Sequence, residues 1–263
     1  MTFSTVAIIL RRRDVGEWDR LYTTYTREHG KLVFIGKGTR RAKAKLSSHL
    51  EPYSETDLVI ARGRSVDRVT FARAIASGLR FTGDWEALRT AAFICECADQ
   101  LTREAHRDVA LYDLLCDALR VIASPASLVC HCEEPRDEAI PAPSVAVPFL
   151  LRLLSVLGYA PQTDRCVECR GELSYGTVVG VPLRGGAACA RCASSIRNGI
   201  PLTHEDRAQL TAAVASFGPF PPSPALAAFA YGMLEAHIWQ PLRTSFAIPA
   251  LTSAPAAVTM ATS

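Results

Sequence analysis

Four of the nine cysteines in this 263-residue chain carry a spacing with one chemical reading. Cys166-Val-Glu-Cys169 and Cys189-Ala-Arg-Cys192 are two CxxC pairs separated by nineteen residues. A two-residue spacer lets both sulfurs of a pair reach one ion. Two such pairs close a tetrahedron with no open position for a substrate. The expectation is one structural Zn²⁺ held by Cys166, Cys169, Cys189 and Cys192, within a zinc ribbon over residues 164–200. Gly171, Gly185 and Gly186 suit its turns, and residues 173–183, LSYGTVVGVPL, read as a pair of short strands. An accidental array of thiols, or a redox pair, accounts less well for two CxxC units at this distance. Cys95, Cys97 and Cys116 fall in helical stretches and read as small core hydrophobes. His131-Cys132-Glu133 upstream of a CxxC superficially matches the zinc deaminase signature. Against it, Arg165 stands where that signature has proline, the H-x-E lies in a Pro-rich acidic stretch, and Cys189 and Cys192 would have no role. A second metal on Cys130, His131 and Cys132 is a further option, with a plain loop cysteine pair the simpler account.

The other chemistry is cationic. Residues 29–46, HGKLVFIGKGTRRAKAKL, hold every lysine of the chain (Lys31, Lys37, Lys43, Lys45) together with Arg40 and Arg41, and no acidic residue. The first half reads as a strand over 31–37, and Gly36 and Gly38 open the second half as a bendable connection. A basic loop hung from a buried strand presents cations to a phosphate backbone, whereas the bland account is a solvated surface loop. Charge is also unevenly divided: residues 1–82 carry +8 and the remainder −5. Such asymmetry points to an N-terminal region facing a polyanion.

The positioning elements follow. Short β-rich runs at 3–10, 18–26, 31–37, 53–61 and 67–71, separated by turn signals, read as a small all-β barrel of the OB type over residues 1–82. Its face would offer cations and rings to a single strand. Trp18, Tyr22, Tyr25 and Phe34 are the rings, each assigned to the barrel core because buried aromatics are commoner than platforms. From Asp84, a plausible N-cap, the pattern turns helical over 85–103, with Trp85, Leu88, Ala92, Cys95 and residues 99–101 marking an apolar stripe and its edge. Helices follow at 109–123, 149–157, 204–217 (capped by Thr203) and 225–239; residues 133–144 read as a linker and 218–224 as a rigid connector. The fold class is thus α+β multidomain: an OB-fold β-barrel, then an α-helical domain over 83–248 with the inserted four-cysteine zinc ribbon, and an uncharged, disordered tail over 249–263.

Hydrophobic residues make up 49% and charged residues 21%, enough for a sizeable core. The apolar start precedes its arginines and is too short to span a bilayer, so no secretory signal and no membrane partner are expected. Nine cysteines with clustered CxxC pairs fit a reducing, cytoplasmic compartment and metal binding better than a disulfide framework. No P-loop, H-E-x-x-H or G-x-S-x-G is present, and a non-enzyme is expected. The alternative from another class is a zinc-ribbon adaptor of the transcription or RNA machinery.

Three segments carry a family resemblance: DVGEWDRLYTTYTREHGKLVFIGKGTRR (14–41), GYAPQTDRCVECRGEL (158–173) and PLRTSF (241–246). With these the chain resembles the bacterial recombination-mediator family RecO over most of its length. The resemblance implies an OB-fold, a helical domain with a zinc ribbon, and binding to single- and double-stranded DNA. It further implies annealing of complementary strands in DNA repair, and partnership with RecR to load RecA on SSB-coated strands, the SSB C-terminal tail meeting the helical domain. Carried over by position, Lys37, Arg40, Arg41, Lys43 and Lys45 face DNA. Arg11, Arg12 and Arg13 join them on charge alone.

Overall fold

Alternation along the first strand decides the architecture. A computed structural model describes residues 1–81, 83–123, 142–173 and 178–238. Five strands, β1 (Thr2–Val15), β2 (Asp19–Thr26), β3 (Gly30–Gly36), β4 (Glu55–Ala61) and β5 (Asp67–Ala76), close into a barrel in the order β1-β2-β3-β5-β4. This is the OB-like arrangement. Ala7 and Ile9 of β1 point into the barrel beside Tyr22, Phe34, Leu58, Ile60, Val69 and Ala72. Ile8, Leu10 and Tyr25 point outward into a second core shared with the helices. A period of two therefore buries both faces of β1, one against the barrel and one against the helical domain.

Tyr22, Tyr25 and Phe34 are core residues as expected, with the Tyr22 and Phe34 rings stacked at 5.6 Å. Trp18 is not: it sits in the β1–β2 turn and is 51% exposed. The turn lies outside both hydrophobic cores, and the group on its ring is the Arg41 guanidinium rather than an apolar side chain. β1 also runs past the expected end at residue 10. Its arginines stay in the ladder, Arg11 opposite Thr23, Arg12 opposite Tyr22 and Arg13 opposite Leu21, with an irregularity between Ile9 and Arg11. Charge ends an apolar pattern, but it does not end backbone pairing. β5 likewise continues to Ala76, beyond the expected 71.

The helical part comprises α1 (Trp85–Leu101), α2 (Val109–Ile122), α3 (Ala142–Val156), α5 (His204–Ala215) and α6 (Pro224–Glu235), with the one-turn α4 (Ala190–Ala193) inside the ribbon. Asp84 caps α1 by accepting from Ala87 N at 2.9 Å, and Thr203 with Asp206 forms a capping box on α5. Cys95, Cys97 and Cys116 are buried, as expected. The α1 stripe is borne out in part: Cys95 is buried and Leu88 and Leu101 pack against the core as expected, but the fully buried positions are Ala87, Ala91, Phe93, Ile94 and Ala98, and Trp85 is 68% exposed. Packing against α2, α3 and β1 together rotates the buried surface away from Trp85.

α3 starts at Ala142 instead of 149 and runs through Pro148. Proline removes the N–H that would bond the carbonyl four residues back. That carbonyl, Ser144 O, accepts instead from Phe220 N at 3.0 Å, so the 217–223 connector repairs the helix from outside. α6 ends at Glu235, short of the expected 239. The ribbon holds β6 (Val178–Val181), β7 (Gly186–Ala188) and β8 (Ile200–Leu202) in the order β7-β6-β8. β8 was not among the expected strands, being only three residues with Pro201 at its centre.

The two cores are tied together by charge and backbone. Lys31 Nζ meets Asp99 at 2.6 Å, with Arg11 on the same carboxylate at 3.5 Å, and Arg27 pairs with Asp113 at 3.2 Å. Tyr112 OH donates to Glu55 at 3.0 Å, and Ala105 N donates to Lys31 O at 3.0 Å. Gly30, at φ +68°, lies so close to His106 O that an added Cβ would stand 2.2 Å away. Only glycine meets both demands. Among the described residues no helix is long and apolar enough to cross a membrane. Cys130, His131, Cys132, most of the 133–144 linker, the PLRTSF segment and the 249–263 tail lie outside the described residues.

Candidate metal centre and nucleic-acid interface

The two CxxC pairs converge as their spacing requires. Local backbone bonds shape each knuckle: Cys166 N donates to Gly171 O at 2.8 Å, and Arg170 N to Cys166 O at 3.0 Å, with Arg170 left-handed at φ 62°. Cys189 leaves β7 and starts α4, where Cys192 N donates to Cys189 O at 3.0 Å. Val167 N on Ala187 O, at 3.0 Å, locks one knuckle to the other. All four sulfurs lie within 4.8 Å of one another, and Cys169 Sγ is 3.9 Å from Cys189 Sγ. A tetrahedral ion with ligands at about 2.3 Å has sulfur–sulfur edges of about 3.8 Å. The set therefore fits one metal ion.

Electrostatics favours thiolate at two of the ligands. Burial pushes the Cys166 thiol up. The backbone N–H groups of Cys169, Cys189 and Glu168 outweigh burial and bring it down to about 6. Cys189 N reaches Cys166 Sγ at 3.3 Å. The Cys189 thiol is lowered chiefly by the Cys192 N–H, and Cys192 is pushed up to about 12 by the neighbouring Cys189 and Cys169 sulfurs. Negative charge thus gathers where a cation would sit. Four protein ligands are the closed arrangement of structural sites, which leaves no position for the activated water a deaminase needs.

The eight basic residues divide into two groups. Four are held by carboxylates: Arg11 by Asp99, Arg12 by Glu51, Lys37 by Asp19 at 2.9 Å, and Arg40 by Asp14 at 3.3 Å. Asp19 also accepts from Gly38 N at 2.7 Å. The Lys37 ammonium, then that N–H, hold its carboxyl below the usual carboxylate range. Arg40 further donates from Nη1 to Gly16 O at 3.1 Å, and its backbone N to Trp18 O at 3.0 Å. These bonds pin the start of the basic loop to the β1–β2 turn. The other four, Arg13, Arg41, Lys43 and Lys45, are exposed and in no ion pair among the described residues. The Arg41 guanidinium lies 5.7 Å from the centroid of the Trp18 ring.

Two cations escaped sequence reasoning. Arg64 and Arg68, in and beside the β4–β5 connection, are exposed and in no ion pair among the described residues. Parallel pairing of Ile35 with Arg68 sets that connection beside the end of β3, from which the basic loop departs. The only signal was the alternation Arg62-Gly63-Arg64, which is not distinctive by itself.

The family models described as Recombination protein O N terminal and Recombination protein O C terminal match residues 1–77 and 82–238. A DNA repair protein RecO from Bifidobacterium adolescentis is 35% identical over 187 residues, 70% of each chain. Those of Dehalococcoides mccartyi and Pelotomaculum thermopropionicum are 30% and 28% identical, covering 76% and 74% of this chain and 74% and 70% of theirs.

Proposed function

The chain belongs to the RecO family of DNA repair and recombination proteins, and from that premise we propose that it is a DNA-binding recombination mediator. In this reading it binds single- and double-stranded DNA, anneals complementary strands, and with RecR helps load RecA on SSB-coated single strands in the cytoplasm. The observation that supports the reading is the pinned loop that leaves β3, whose Arg41, Lys43 and Lys45 are exposed and, like Arg13 of β1, in no ion pair among the described residues.

Annealing needs no covalent chemistry. Two strands repel through their phosphates, and a surface that neutralises both lowers the cost of their approach. Neutralisation releases condensed counterions, so affinity falls steeply as salt rises. We assign the ion of the four-cysteine site as a single Zn²⁺, which holds the ribbon together and takes no part in DNA contact. The deciding experiment is strand annealing with complementary oligonucleotides, bare and SSB-coated. The expected result is protein-accelerated pairing that weakens with salt. No acceleration on bare strands would overturn the mediator reading and favour the adaptor alternative.

A further inference from the structure

Trp18 has an environment that the barrel fold does not require. It occupies the turn between β1 and β2, where Gly16 at φ +62° makes the reversal. The bond that ties residue 18 to the basic loop, Arg40 N to Trp18 O, uses backbone alone, and any residue would make it. The indole is therefore not needed to form the turn. It remains 51% exposed, so its ring is open to a ligand.

Its neighbours give the ring a direction and a charge setting. Arg41 lies on the ring at 5.7 Å, within cation–π range. The loop that supplies Arg41 also carries Lys43 and Lys45, exposed and in no ion pair among the described residues. A ring with an open surface, bracketed by a guanidinium and followed by free ammonium groups, is the combination that holds an unpaired base and its phosphates. Bases stack on the ring while cations track the backbone. A duplex keeps its bases stacked inside and cannot use such a ring in this way.

We propose that Trp18 is a base-stacking platform for single-stranded nucleic acid, with Arg41 orienting the indole. The proposal rests on the DNA-binding reading and adds to it the element that distinguishes single strands from duplex. The test compares the full-length chain with its Trp18→Ala and Trp18→Phe variants. Three probes are titrated: an oligothymidylate, an abasic strand of equal length and charge, and a duplex. Trp18→Ala weakens oligothymidylate binding about tenfold, and Trp18→Phe recovers most of the loss. Both variants bind the abasic strand and the duplex as the parent chain does. Equal losses on all three probes would mean that residue 18 only shapes the loop, and unchanged oligothymidylate binding would mean that the ring touches no base. Either result overturns the proposal while leaving the DNA-binding reading of the parent chain in place. A parent chain that binds none of the probes overturns the proposed function and this inference together.

Discussion

The cysteine cluster and the basic loop are both gatherings of like groups, yet they are organised by opposite means. Four sulfurs converge to within 4.8 Å, and the short backbone bonds of each knuckle do most of the positioning. The cations instead spread along a strand and a loop, and distant carboxylates decide which remain available. Asp99, Glu51, Asp19 and Asp14 hold four of them. Convergent chemistry can be written into local spacing. Distributed chemistry is decided by what the rest of the fold neutralises.

The largest test of this contrast is Cys166→Ser. Loss of one ligand should abolish metal retention, because in small metal sites binding energy is folding energy, on the order of 10 kcal/mol for structural zinc. Metal content and thermal melting report it. The expected outcome is metal-free protein with a destabilised helical part and unchanged affinity for DNA. Unchanged melting would remove the structural role, and a matching loss of DNA affinity would show that the two regions are not independent.

Next comes the junction on which both regions depend. Gly30→Ala places a Cβ 2.2 Å from His106 O at φ +68°, and should cost at least about 2 kcal/mol in urea unfolding. A neutral effect would mean that the barrel and helices are not held in this contact. The smallest effect separates free from pinned cations. Lys43→Ala with Lys45→Ala should flatten the salt dependence of DNA binding by about 1.5 units. Lys37→Ala with Arg40→Ala should leave that slope nearly unchanged while loosening the loop. Equal flattening by both pairs would show that the pinned side chains reach phosphate as well, and the distinction would fall.

By itself the sequence determined which four cysteines gather, the α1 and α5 caps at Asp84 and Thr203, and the burial of six apolar positions of α2 from Leu111 to Ile122. The caps and each CxxC pair depend on partners no more than a few residues away, where geometry follows from spacing, and the α2 stripe follows from helical period alone. It also placed Tyr22, Tyr25 and Phe34 inside, since large rings on half-buried strands have few other places to go. Only the tertiary structure decided that Trp18 faces solvent, that Lys31 and Arg11 share Asp99, and that Arg13, Arg41, Lys43 and Lys45 stay in no ion pair among the described residues. It alone explains how α3 passes through Pro148, because the donor for Ser144 O comes from Phe220. In each of these cases the deciding group is brought in by a separate element, and a side chain's charge or size does not say which element will arrive beside it.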